Sequence, residues 1–373
     1  MNCSEEEQIH SIALTMVPGI GHIGAKRLID GMGNAVDVFR LRKEIPECVP
    51  EVSKRVVEAL DCPQAIARAG LEYEFIQKNR ITCLAFNDEA YPSRLRECED
   101  APVALFFKGN ADLNSLRIIN MVGTRNATDY GSQICASFLR DLKALCPDVL
   151  VVSGLAYGID IHAHREALTN KLSTVGVLAH GLDRIYPHAH RKTAVDMLEH
   201  GGLLTEFVSG TVPDRHNFVS RNRIVAGMSD ATIVVESAEK GGSLITAELA
   251  EGYNRECFAS PGRLSDEYSK GCNQLIRDNK ASLLLSAGDF VKAMGWEADS
   301  RPAKVENVQR SLFVDLSEDE QRVVDILKKQ GDLQINSLVV EADIPVQKMN
   351  AILFELEMKG VVRVLVGGMY RLL

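Results

Sequence analysis

Between about residues 80 and 295 the chain alternates short, nearly unbroken apolar runs with longer stretches of helical period. The runs read RIINMVG, VLVVSG, TVGVLAH, GLLTEF, ATIVVE, CFAS and SLLLS. An unbroken apolar run marks a strand buried on both faces, and regular alternation with helices implies right-handed crossovers and a parallel sheet. The pattern predicts an α/β fold over residues 79–295, a Rossmann-like doubly wound parallel sheet.

The flanks follow other periods. Residues 1–78 read as helical, and in LTMVPGIGHIGAKRLID the turn Pro18-Gly19-Ile20-Gly21 joins two apolar stretches, as in a SAM or helix-hairpin-helix domain. Such a glycine turn either points backbone N–H groups at a phosphate or forms a packed helical corner. Residues 296–312 are polar, contain Pro302 and show no sustained period, which suits a linker. Over residues 313–373 the helical stretches SEDEQRVVDILKKQ, INSLVVEA and PVQKMNAILFELEMKG precede two strands, VVRVLV and MYRLL, around Gly367-Gly368. Three helices followed by a hairpin predict a winged helix.

Length and composition keep this picture within the globular class. A chain of 373 residues accommodates two or three domains, and 46% hydrophobic with 25% charged residues is ordinary for folded proteins. The nine cysteines are scattered with no C-x-x-C pair, so the sequence suggests neither a zinc ribbon nor a disulfide framework, and a reducing cytoplasm fits. The start MNCSEEEQIH is acidic where a signal peptide is basic. No apolar run reaches the roughly 18 residues of a membrane span, and a soluble protein with no membrane association is expected.

In an open parallel sheet, ligands bind at the carboxyl ends of the strands. Here those positions are glycine-rich: Gly123-Thr124-Arg125 after IINMV, Ser153-Gly154 and then Tyr157-Gly158 after VLVV, Gly181 and then Tyr186-Pro187 after TVGVLAH, and Gly241-Gly242-Ser243 after TIVVE, opening a helix with Thr246. Glycine admits a close backbone approach, and the following helix offers free N–H groups and a positive dipole end. The repetition predicts a phosphate-binding rim. Charge strengthens this reading, because a chain of formal net charge -9 gathers Arg215, His216, Arg221 and Arg223 around Asn217, Phe218 and Asn222. A positive groove with an aromatic face is what holds a single nucleic-acid strand.

Several chemistries are disfavoured. The first strand-helix loop of the sheet lacks G-x-G-x-x-G, and G-x-x-x-x-G-K-[ST] and G-x-S-x-G are missing, which argues against a dinucleotide redox site, a P-loop and a hydrolase elbow. The pairs His162/His164 and His188/His190 raise the question of a metal. In a helix, residues two apart project about 200° from one another, so the first pair cannot share an inner shell, and the second has no carboxylate at ligand spacing. No metal or cofactor is expected.

The segments VGTRNATDYG, VSGLAYGIDIHAHREAL, GLDRIYPHAHR, FVSRNRIVAGMSDATIVVESAEKGGSLITAELA and SPGRLSDEYSKGCNQLI resemble, in order and spacing, the motifs of the DprA/Smf family of DNA-processing proteins. The resemblance covers about residues 80–290. It implies a cytoplasmic bacterial protein, not an enzyme, that binds incoming single-stranded DNA in natural transformation, protects it and helps load the RecA recombinase. It also implies a homodimer joined through the Rossmann-like domain, with no redox cofactor. The family's usual Gly-Ser-Arg stands here as Gly123-Thr124-Arg125; the basic residue after Tyr-Pro corresponds to Arg191, and the one ahead of Arg-Asn-Arg to Arg215. The expected DNA-binding set is therefore Gly123, Thr124, Arg125, Gly154, Arg191, Arg215, Asn217, Phe218, Arg221, Asn222, Arg223, Gly241, Gly242, Ser243 and Thr246.

An alternative is enzymatic. GGSLITAELA is similar to the P-G-G-x-G-T-x-x-E motif of nucleoside-monophosphate phosphoribohydrolases, with Glu248 at the glutamate, where a carboxylate could stabilise an oxocarbenium-like ribosyl centre. The first proline is missing, and Ser243-Leu244 replaces Gly-Thr. The C-terminal segment 313–373 holds ten acidic side chains against seven basic ones, which points to protein contact rather than a duplex-DNA reader.

Overall fold

The computed structural model describes residues 3–296, 316–365 and 368–372. The chain divides into two compact units, Met1–Ser137 with Asp148–Leu283, and Phe138–Pro147 with Leu284–Leu373. All of the expected 296–312 linker except Trp296, and Gly367 of the expected hairpin turn, lie outside the described residues.

The first unit opens with helices α1 (Glu5–Leu14), α2 (His22–Met32), α3 (Ala35–Arg40), α4 (Ile45–Cys48), α5 (Lys54–Ala59) and α6 (Pro63–Lys78). A buried carboxylate organises them: Glu7 on α1 accepts from the N–H groups of Ala35 and Val36 at 2.8 and 3.0 Å, capping α3. Gly19, with φ of 82°, makes the turn before α2. Glu72 on α6 accepts from the N–H of Ser209 at 2.8 Å, which ties the helices to the following sheet.

That sheet comprises β1 (Thr82–Ala85), β2 (Ala104–Gly109), β3 (Ile118–Val122), β4 (Leu150–Ser153), β5 (Thr174–Val177), β6 (Gly201–Thr205), β7 (Ala231–Val234), β8 (Glu256–Ala259) and β9 (Ser282–Leu283). Its helices are α7 (Ser93–Arg96), α8 (Asp129–Leu145), α9 (Ile159–Thr169), α10 (Arg191–Glu199), α11 (Arg215–Gly227), α12 (Gly242–Gly252) and α13 (Lys270–Arg277). The strand order is β1-β2-β6-β5-β4-β3-β7-β8-β9. From β6 to β9 all neighbours are parallel, and every residue of β3 to β7 is buried, as their unbroken apolar runs require.

Two features depart from the expected sheet. β1 and β2 pair antiparallel with each other, and β2 pairs antiparallel with β6, so the sheet gains an antiparallel edge that the apolar runs did not announce. SLLLS yields only the two-residue strand β9.

The chain builds outward from β3 through β4 and β5 to β6, then returns to place β7 on the other side of β3. The switch point between β3 and β7 is pinned by buried polar groups. Asp230 receives the Arg94 Nε at 2.6 Å and the Ile118 N–H at 2.8 Å, and Asn120, fully buried in β3, donates to Thr232 Oγ1 at 2.8 Å across the strand pair.

The second unit includes α14 (Ala287–Ala293), α15 (Glu318–Gln330), β10 (Leu333–Gln334), α16 (Ile335–Ala342), α17 (Val346–Met358), β11 (Val362–Leu365) and β12 (Met369–Leu372). Ser317 and Glu320 form a capping box at the start of α15. Val323, Leu327, Leu338, Leu353 and Leu356 close a core between α15, α16 and α17, and β11 pairs antiparallel with β12, completing a winged helix.

His164 on α9 is fully buried. Thr174 Oγ1 donates to the Val151 carbonyl, so the His164 Nδ1, 2.7 Å from that oxygen, carries the proton of a neutral ring. Burial, with Arg221 nearby, pushes the imidazole from its ordinary 6.5 down to about 3. Below pH 6.5 the unfolded chain takes up a proton that the folded ring refuses until about pH 3, so the stability tied to the neutral ring is complete above pH 6.5 and is lost as pH falls towards 3. Urea titrations are expected to give a lower midpoint at about pH 5 than at about pH 7, and folded His164→Gln a smaller difference between the two.

Candidate functional site

The loops after β3, β4 and β7 meet at the switch point, where an open α/β sheet offers its binding crevice. Glu236, just past β7, holds two of them together. Its backbone carbonyl accepts from the Thr124 N–H at 2.7 Å, and its buried carboxylate accepts from the Thr128 N–H at 2.9 Å and from the Thr128 hydroxyl. Thr124 in turn accepts from the Ile159 N–H at 3.1 Å, where α9 begins. Gly158 allows this closeness, since its φ is 75° and a Cβ there would overlap the Thr124 carbonyl.

Beneath the loops lies Arg221. Its guanidinium, 4% exposed as a residue, donates to the Gly154 carbonyl at 2.7 Å and to the Val177 carbonyl, joining α11 to the ends of β4 and β5. A side chain at position 154 would overlap that guanidinium. Asp160 sits near it and accepts from the Gly154 N–H at 3.2 Å. Burial raises the Asp160 carboxyl above its ordinary value, and the Arg221 charge opposes the rise.

A cavity of about 260 Å³ opens above this floor, lined among others by Gly123, Thr124, Arg125, Asp160, Phe218, Arg221, Asn222, Lys240, Gly241, Gly242, Ser243 and Thr246. Helix α12 starts at its wall with Gly241 as cap and no side-chain cap, so its first turn brings a positive dipole end to the cavity. At the mouth, the Arg125 guanidinium lies 5.0 Å from the centre of the Phe218 ring, and the Tyr186 ring tilts against Phe218 with centres 5.9 Å apart. Arg125 and Tyr186 are exposed and Phe218 half-buried, which leaves aromatic and guanidinium surface open to stacking.

The structure thus brings ten of the fifteen expected residues into the cavity lining, and it separates the other five for identifiable reasons. On α11, positions 215, 218 and 222 fall within an arc of roughly 60°, whereas 221 and 223 project about 160° apart from each other. Arg215 is exposed at the first turn, which Asp214 caps by accepting from the His216 and Asn217 N–H groups. The Asn217 amide donates to the Val212 carbonyl at 3.2 Å. Arg223, 5% exposed, points away from the cavity, pairs with the buried Glu206 carboxylate and donates to the Asp100 carbonyl at 2.8 Å. Arg223 is therefore a framework residue rather than a phosphate ligand, and Arg221 is a floor rather than a free surface cation. Gly154 packs against the Arg221 guanidinium and does not line the cavity. Arg191, exposed at the start of α10, lies outside the lining as well.

Asp160 and Lys240 join the lining without having been singled out from sequence. Lys240 carried a signal, since it directly precedes Gly241-Gly242. Glu248 is exposed on α12 and does not line the cavity, which removes the carboxylate that the phosphoribohydrolase alternative requires. His164 and His190 are buried and bonded to Thr174 and to the Leu155 carbonyl, and among the described residues no group of three or more histidine, cysteine or acidic side chains could hold a metal ion.

This division of α11 makes a stability test. Arg223→Ala leaves the buried Glu206 carboxylate with only the His22 Nδ1, 3.5 Å away, and is expected to cost about 3–5 kcal/mol, read as a drop in the urea midpoint. Arg125→Ala, at an exposed position, is expected to stay within about 0.5 kcal/mol of the parent.

Residues 82–295 match the family model of the DNA recombination-mediator protein A, and residues 313–368 match that of the DprA winged helix domain. The putative DNA processing protein DprA of Mycobacterium tuberculosis is 33% identical over 308 residues, covering 78% of this chain and 77% of that protein. The solved DNA processing protein A of Streptococcus pneumoniae superposes with a TM-score of 0.61 at 29% identity, over 78% of this chain and 98% of the other. The DNA processing protein A of Helicobacter pylori, solved for its single-stranded DNA binding mode, gives a TM-score of 0.53 at 28% identity, over 58% of this chain and 97% of the other. With two successive domains matched and a relative aligned over most of both chains, this chain belongs to the DprA/Smf family of DNA-processing proteins.

Proposed function

We propose that this chain binds single-stranded DNA along the rim above β3, β4 and β7, shields it from nucleases and helps load the RecA recombinase onto it in natural transformation. In this reading it works in the cytoplasm, by binding rather than by catalysis, as a homodimer joined through the Rossmann-like domain. The observation that carries the reading is the Arg125–Phe218–Tyr186 cluster at the mouth of a glycine-walled cavity. Guanidinium and aromatic faces stack bases without regard to sequence, while glycine loops and a helix N-terminus take the phosphates. Exposed Arg215 extends the positive surface along α11, exposed Arg191 and Lys192 continue it beyond the β4 end, and exposed Tyr157 offers a further aromatic face. Family membership and the likeness to the Helicobacter pylori protein support the same substrate.

The winged helix contributes protein contacts in this reading. Helix α17 stands where a duplex reader would carry free cations, yet Lys348 is held by Asp319 and Lys359 by Glu320, both at 2.6 Å. The same helix exposes Phe354 and Met358.

Fluorescence anisotropy with a labelled oligothymidine tests the rim. Phe218→Ala is expected to weaken binding by roughly 5- to 150-fold, the range for one stacked base. Arg125→Ala is expected to flatten the dependence of log affinity on log salt by about 0.7, one neutralised phosphate on a single strand. Unchanged affinity and slope in both folded variants would refute the rim. Removal of residues 313–373 is expected to change single-strand affinity by less than about tenfold, and a larger loss by the folded remainder would return the winged helix to the DNA site.

A further inference from the structure

The cavity at the switch point is closed at its inner end. Asp160, Arg221, Ser243 and Thr246 form its depth and are each less than a tenth exposed, while Arg125 and Lys240 stand exposed at its mouth. Its volume of about 260 Å³ falls just under the roughly 300 Å³ at which pockets for drug-sized molecules begin, which leaves room for about one nucleotide unit. The interior of a strand must bring two chain arms out of such a cavity. A strand end brings one.

Charge separates the candidates further. Three cations, Arg125, Arg221 and Lys240, line the cavity against the single carboxylate of Asp160, an excess of two positive charges. A phosphodiester carries one negative charge, whereas a phosphomonoester carries about 1.5 to 2 near neutral pH. The uncapped first turn of α12 adds its dipole to this excess. A second, independent feature lies in the depth: the Nε of Arg221 has no hydrogen-bond partner although its residue is only 4% exposed. A buried donor left without a partner is costly, and a bound oxyanion relieves it.

We propose that the cavity seats the terminal phosphate of a DNA strand, held by the first turn of α12 and the Arg221 Nε–H, with the adjoining bases leaving across Phe218. This rests on the reading of the rim as a single-strand site and assigns it a polarity, one chain end being anchored while the rest lies over the mouth.

The test displaces an internally labelled, hydroxyl-ended oligothymidine from the full-length protein at fixed ionic strength. The competitors are unlabelled oligothymidines with a 5′-phosphate, a 3′-phosphate or hydroxyls at both ends. One phosphorylated strand is expected to compete at roughly one-tenth the concentration the hydroxyl-ended strand needs. Thymidine monophosphate or inorganic phosphate in excess is expected to abolish that preference, and Lys240→Ala to reduce it. Equal competition by all three strands, with tight binding retained, overturns the proposal and leaves the single-strand reading intact. Thymidine monophosphate that binds while the strands show no end preference overturns it in favour of a free-nucleotide site. An undiminished preference in folded Lys240→Ala overturns the placement in this cavity, and failure of every strand to bind overturns the single-strand reading itself.

Discussion

The guanidinium of Arg221, buried against Gly154 and bonded to the carbonyls of Gly154 and Val177, is the constraint on which the rest of the site depends. It fixes α11 against the ends of β4 and β5, and that orientation decides which residues of the helix look outward. Phe218 reaches Arg125 and Tyr186 only because the helix cannot roll about its axis. Asp160, held by the same loop, supplies the compensating charge that makes a fully buried cation tolerable.

Glu236 plays the matching part on the other side of the switch point. One residue, through its carbonyl and its carboxylate, positions the N–H of Thr124 and both polar groups of Thr128. The loops therefore form a preorganised wall, and an anion arriving there meets dipoles already aligned. In a chain of net charge -9, such local alignment concentrates attraction at one edge while the remaining surface repels nucleic acid.

Much of this was legible in the sequence. The unbroken apolar runs of β3 to β8 left no other arrangement than a covered parallel sheet, and the glycine positions after them marked the crevice. β1 and β2 escaped notice because TCLA is only four residues long, and because antiparallel edge pairing has no alternation signal when both strands are almost wholly buried. The arginine cluster misled for a different reason: formal charge carries no information on burial. The 3.6-residue period could have separated Arg223 from the outward positions, but its partner Glu206 lies 17 residues away and is joined to it only by the fold. Asp160 was hidden likewise, as an acidic residue in a setting searched for cations.

The two faces of α11 have a consequence for how this helix tolerates change. Arg221 and Arg223 are buried and hold the protein together, whereas Arg215 is exposed and Phe218 and Asn222 are half-buried beside the cavity. On the proposed reading of the rim, foldability and grip are thus written on one segment but on separate registers, so a lineage could retune its hold on a strand by exchanging outward residues without disturbing the scaffold. A saturation scan that scores cellular abundance and strand capture separately should see the two phenotypes interleave along Arg215–Gly227 with the helical repeat.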